Sequence, residues 1–137
     1  MNKIKFDSNL IKLMILFESR TGAKVKDCIA NKKLIFVVEE SEMGKAIGKN
    51  GINIKKMEHE LRRRIKLVEY SSDVLQFIKN IIYPIEAPII EEVNGTIIIH
   101  GKDSSTKSLL VGRERQNINH LTALVKRYFK INEIRVV

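Results

Sequence analysis

Ala46-Ile47-Gly48-Lys49-Asn50-Gly51-Ile52-Asn53-Ile54 sets two glycines three residues apart between two apolar, helix-compatible segments. Glycine carries no Cβ, so two of them let another backbone approach closely and allow conformations closed to other residues. Many turns contain Gly-x-x-Gly, and alone it decides little. Its meaning comes from its surroundings. Upstream, Leu10, Leu13, Met14 and Phe17 recur at helical spacing behind Asp7-Ser8, which suit a helix start, and Gly22 suits its end. Lys24–Ala30 and Leu34–Glu39 read as strands joined by a polar turn at Asn31-Lys32. A short helix then leads to Ile47. After the glycines, Ile54, Met57, Leu61 and Ile65 predict a longer amphipathic helix, and Lys66–Tyr70 a closing strand.

The same pattern occurs twice. A shift of 64 residues carries Gly48-Lys49-Asn50-Gly51-Ile52-Asn53-Ile54 onto Gly112-Arg113-Glu114-Arg115-Gln116-Asn117-Ile118. It also carries Leu10, Leu13, Met14 and Phe17 onto Val74, Phe77, Ile78 and Ile81, and Met57 onto Leu121. A shift of 63 lays Asn31-Lys32 on Asn94-Gly95, the strongest short hairpin signal. Two units follow, 1–70 and 71–137, each in the order helix, strand, strand, helix, glycine loop, helix, strand. Units of roughly 65–70 residues have small cores. The short junction near Ser71-Ser72 therefore predicts that they pack together and present one surface.

Composition narrows the function. Lys and Arg total 25 against 16 Asp and Glu, a net charge of +9, as expected of a protein that meets phosphate backbones. No run approaches the roughly 18 apolar residues of a membrane helix, and no signal peptide is evident, so a cytoplasmic protein without membrane contact is expected. The one cysteine, Cys28, excludes an internal disulfide and a multi-cysteine zinc site, and reads as a small core residue.

A Gly-x-x-Gly loop opening a helix is a sensible clamp for a single strand of nucleic acid. The glycines admit the sugar-phosphate backbone, and the N–H groups of the helix start favour phosphate. Asn53 and Asn117 are expected to cap the helix that follows each loop. Ile47 is expected to form part of a wall for unstacked bases. Lys45, Lys49, Lys55, Lys56, Arg62, Arg63 and Arg64 lie nearby in sequence. This arrangement resembles the KH domain, whose loop holds about four nucleotides. The order α-β-β-α-α-β matches its type II form, so the expected fold class is α+β: two tandem type II KH domains, each a three-stranded mixed sheet with helices on one face. The RNA-binding set predicted for the first unit is Lys45, Ile47, Gly48, Lys49, Asn50, Gly51, Lys55, Lys56, Arg62 and Arg63. For the second it is Gly112, Arg113 and Arg115, where an arginine replaces the second glycine and the loop is degenerate.

Further residues make the resemblance more specific. Ala46-Ile47-Gly48-Lys49-Asn50-Gly51 and Leu67-Val68-Glu69-Tyr70-Ser71, followed by Phe77-Ile78-Lys79-Asn80, are similar to the KH region of the NusA transcription elongation and termination factors. The resemblance runs over essentially the whole chain. Bacterial members carry additional polymerase-binding and S1 domains that 137 residues do not hold, so the similarity is to the short archaeal form. It implies a non-enzymatic factor of transcription termination or antitermination, binding single-stranded RNA (nascent transcript or ribosomal RNA), with RNA polymerase as a second candidate partner. A monomer is expected. A ribosome-associated or RNA-processing accessory KH protein is the alternative.

Other constellations carry no recognisable chemistry. His59, His100 and His120 read as singletons outside ligand spacing, and no cofactor or metal is expected. Glu91-Glu92 lie on a strand and point to opposite faces. Ser104-Ser105 lack the context of a nucleophile. Gly44-Lys45 and Gly48-Lys49 lack the spacing of a nucleotide-triphosphate loop.

Overall fold

A computed structural model describes residues 8–137, and Asp7, expected at the first helix start, lies outside that range. The chain divides into two compact units, with the division between Ser71 and Ser72.

The first unit begins with α1 (Ser8–Thr21), followed by β1 (Val25–Ala30) and β2 (Leu34–Val38). Then come α2 (Met43–Ile47), a 3-10 turn (Lys49–Gly51), α3 (Ile52–Leu61) and β3 (Ile65–Glu69). The sheet order is β1-β2-β3, with β1 antiparallel and β3 parallel to the central β2. Parallel pairing requires a crossover between β2 and β3. That crossover is the α2–loop–α3 segment, so the glycine loop lies in the middle of a connection held at both ends by the sheet.

The apolar run Leu34-Ile35-Phe36-Val37-Val38 suits a central strand, and four of its five residues are buried. Leu34, Phe36 and Val38 point to one face and join Phe17 from α1, Ala46 from α2 and Met57 from α3 in a single core. The Phe17 and Phe36 rings stack at 4.3 Å. Cys28 belongs to this core. Burial, with Asp27 adding to it, pushes its thiol up to about 12, so it serves as packing rather than as a nucleophile.

Ile65 departs from the expectation that placed it on the amphipathic helix. Arg62 adopts a left-handed cap (φ 53°, ψ 41°) and ends α3 first. Ile65 instead opens β3 and reaches the same core from the strand, its N–H donating to the Glu58 carboxylate at 2.9 Å.

The second unit repeats the order with α4 (Val74–Ile82), β4 (Ile89–Val93), β5 (Thr96–His100) and α5 (Ser104–Val111). A 3-10 turn (Arg113–Arg115), α6 (Gln116–Lys126) and β6 (Glu133–Val136) complete it. Its sheet, β4-β5-β6, has the same antiparallel and parallel pairings. Asp73 and Asp103 cap α4 and α5 by accepting from the N–H groups of Leu75 and Thr106 at 3.0 and 2.7 Å. Each unit is thus α+β around a three-stranded mixed sheet. Among the described residues, no helix is long and apolar enough to cross a membrane.

Candidate nucleic-acid interface

The two glycine loops have nearly the same backbone. Gly48 and Gly112 sit at φ 76°, ψ 171° and φ 76°, ψ 170°; Asn50 and Glu114 at φ 55°, ψ 26° and φ 55°, ψ 32°. Gly51 lies at φ 74°, ψ 18°, and Arg115 takes the same left-handed region at φ 60°, ψ 20°. The second loop keeps its shape without its second glycine.

What holds that shape is an asparagine five residues after the first glycine. Asn53 Nδ2 donates to the Lys45 carbonyl at 2.8 Å, and Asn117 Nδ2 donates to the Leu109 carbonyl at 2.8 Å. The expectation that these residues cap the following helix is therefore corrected. The helix starts are Gly51 and Arg115, with no side-chain cap. Each asparagine instead ties its helix back to the last turn of the preceding one, satisfying a carbonyl that a helix end leaves free. A Cβ on Gly48 would meet Asn53 Cγ at 2.7 Å, and one on Gly112 would meet Asn117 Cγ at 2.6 Å. The first glycine makes room for the clamp. The Gly-x-x-x-x-Asn spacing, present in both copies, was the signal for it.

The second glycine has another role. A Cβ on Gly51 would meet nothing closer than Lys55 Cε at 3.7 Å, an ordinary contact. Its position is demanding only through its positive φ, at about 1–2 kcal/mol for a residue with a side chain. Arg115 bears that strain. Arg115→Gly is therefore expected to stabilise the second unit by about 0.5–1 kcal/mol, after subtracting the greater freedom of unfolded glycine. Urea denaturation with an unchanged m-value would show it.

The loop backbone is prepared for an anion. Gly51 N–H closes the turn on the Gly48 carbonyl at 3.1 Å, while the N–H groups of Lys49 and Asn50 have no backbone acceptor among the described residues. Arg115 N–H closes the second turn on the Gly112 carbonyl at 3.2 Å in the same way. Around the first loop, Lys49, Asn50, Lys55 and Lys56 are exposed, and Ile47 and Ile52 present 39% and 46% of their surface beside them. Lys45 is also exposed but has a partner, Glu42, at 3.3 Å. The Glu42 carboxyl is held below its usual range chiefly by accepting the Lys24 N–H, with Lys45 contributing less.

Arg62, Arg63 and Arg64 stand at the other end of α3. Its 10 residues place them roughly 15 Å along the helix axis from the loop. Arg63 donates to the Asn31 carbonyl at 2.9 Å and so braces the β1–β2 turn. In the second unit Gly112, Arg113 and Arg115 come together on one turn, with Arg113 and Arg115 exposed. His100 is not isolated as expected: its Nε2 lies 3.7 Å from a Glu91 oxygen across the β4–β5 pair. Among the described residues, no three His, Cys, Asp or Glu side chains are placed to hold a metal.

The KH domain family model matches residues 13–88, which takes in the first loop and runs into the second unit. A probable transcription termination protein NusA from Methanococcus vannielii is 34% identical over 98% of this chain and 80% of its own length. This chain belongs to the NusA family of KH-domain proteins. The family resemblance extends to a probable NusA from Thermoplasma acidophilum, 30% identical over 99% of this chain and 97% of that one. The solved crystal structure of APE1850 superimposes with a TM-score of 0.73 at 27% identity, covering 96% of this chain and all of that one.

Proposed function

We propose that this NusA-family protein is an RNA-binding transcription factor built of two tandem type II KH domains, 1–70 and 71–137, with no catalytic activity of its own. The observation that carries the reading is the doubled loop. Two crossovers, of different sequence, hold the same left-handed backbone, and at the first loop the N–H groups of Lys49 and Asn50 have no backbone acceptor among the described residues and lie beside exposed lysines. A positively charged turn with a glycine at its edge suits a phosphate, and the exposed Ile47 and Ile52 suit the faces of unstacked bases. Single-stranded RNA is the substrate class this favours, at about four nucleotides per loop. Transcription termination is the process that the names of the related proteins give, RNA polymerase is the candidate protein partner, and the net charge of +9 suits the transcript itself.

Binding to single-stranded RNA of eight or more nucleotides is expected to weaken with salt, at a log–log slope near −0.7 per phosphate neutralised. A titration at matched salt in which duplex DNA binds more tightly than single-stranded RNA would overturn the reading. Sedimentation of the tagged protein from cell extract tests the transcription role separately. Migration with ribosomal subunits rather than with polymerase would replace it by a ribosomal one.

A further inference from the structure

Glu114 is out of place in a loop that only holds phosphate. A carboxylate at the loop tip opposes an anion. Arg113 and Arg115 flank it in sequence, yet Glu114 makes no ion pair with either among the described residues. It lines an open cavity of about 400 Å³ with Arg113, Gln116, Asn119 and His120. That volume falls within the roughly 300–1,000 Å³ typical of small-ligand sites, and all five side chains are polar and exposed. The equivalent positions around the first loop are Lys49, Asn50, Ile52, Lys55 and Lys56, which include no acid. The two loops share a backbone and differ in chemistry.

We propose that the second loop selects a base, with the Glu114 carboxylate pairing with the Watson–Crick edge of a guanine seated in this cavity. The inference rests on the single-stranded-RNA reading above. An ionised carboxylate only accepts hydrogen bonds, and it has two oxygens side by side. Guanine alone among the four RNA bases presents two adjacent N–H donors, at N1 and N2. Adenine and cytosine set one N–H donor beside a ring-nitrogen lone pair, and uracil sets one between two carbonyls. The carboxylate therefore matches guanine twice and meets a repulsive lone pair on each of the others. Asn119 supplies a donor that guanine O6 accepts. The first loop then holds backbone without preference, and the second fixes the register of the strand.

The test compares a uridine-rich RNA of about twelve nucleotides with the same RNA carrying a single central guanine, inosine or adenine. The wild-type protein is expected to bind the guanine RNA about tenfold more tightly than the adenine RNA. Inosine, which lacks the N2 amino group, is expected to lose most of that gain. Glu114→Gln should abolish the preference while binding guanine-free RNA at least as well as wild type, because it removes a negative charge from a basic loop. The circular dichroism spectrum reports that the exposed substitution leaves the fold intact. Equal strengthening of all four RNAs by Glu114→Gln would show that the acid only repels, and the inference would fail. Binding of all four RNAs equally by wild type would also overturn it, leaving the RNA-binding reading standing. No binding to any of them would end both.

Discussion

Gly48→Ala is expected to destabilise the first unit by about 2–4 kcal/mol and to abolish high-affinity RNA binding. Two effects add. The backbone at φ 76°, ψ 171° lies in a region that is essentially glycine-only, and forcing a side chain there costs about 1–3 kcal/mol. The new Cβ would also lie 2.7 Å from Asn53 Cγ and 3.0 Å from the Asn53 backbone nitrogen. The side chain cannot step aside without giving up its hydrogen bond to the Lys45 carbonyl, a further loss of about 1 kcal/mol. For a domain of roughly 65 residues this is a large share of the total stability. Gly51→Ala is the control. It shares the positive φ but has open space around it, and should cost only about 0.5–1 kcal/mol once the greater freedom of unfolded glycine is subtracted. Urea denaturation of the two variants checks the ranking. If Gly51→Ala proved the more damaging, the clamp account of Gly48 would be wrong.

Lys49→Asp should lower affinity for single-stranded RNA about tenfold or more near physiological salt, equivalent to about 1.4 kcal/mol or more. Arg113→Asp should lower it less. The two substitutions change net charge equally, so a difference between them reports geometry. Both residues are exposed on loops of matching backbone, and neither change should unfold the protein. Gly51 leaves the first loop open to a phosphate at hydrogen-bonding distance, whereas the Arg115 side chain stands at the corresponding place in the second. The Arg113 contribution then comes mainly through longer-range attraction, which salt screens, so its loss should shrink further as salt rises. Filter binding at two salt concentrations separates the cases. Equal losses, or a larger one for Arg113, would make the second loop a full phosphate clamp equivalent to the first.

What the amino-acid sequence determined by itself is whatever depends on near neighbours along the chain. Leu10, Leu13, Met14 and Phe17 give α1 its apolar stripe, Leu34–Val38 gives an apolar strand, and Asn94-Gly95 gives a hairpin. The 64-residue repeat made the glycine loops and the α+β order legible as well, because each unit carries its own turn residues and its own period. Tertiary structure decided what depends on residues meeting across an element. α3 ended four residues before Ile65 because the chain had to turn into a strand parallel to β2, which placed Arg62–Arg64 at the end of the helix away from the loop. Asn53 and Asn117 look like helix caps in sequence. Only the packing of α2 against α3, and of α5 against α6, brings a carbonyl within their reach and makes the first glycine of each loop obligatory. Arg115 reads as a broken motif, yet that same clamp holds its backbone in the left-handed region without a glycine. The physical reason is one of range: hydrophobic period and turn chemistry act within a few residues, while the loop is shaped by a hydrogen bond between two helices that the sheet holds together.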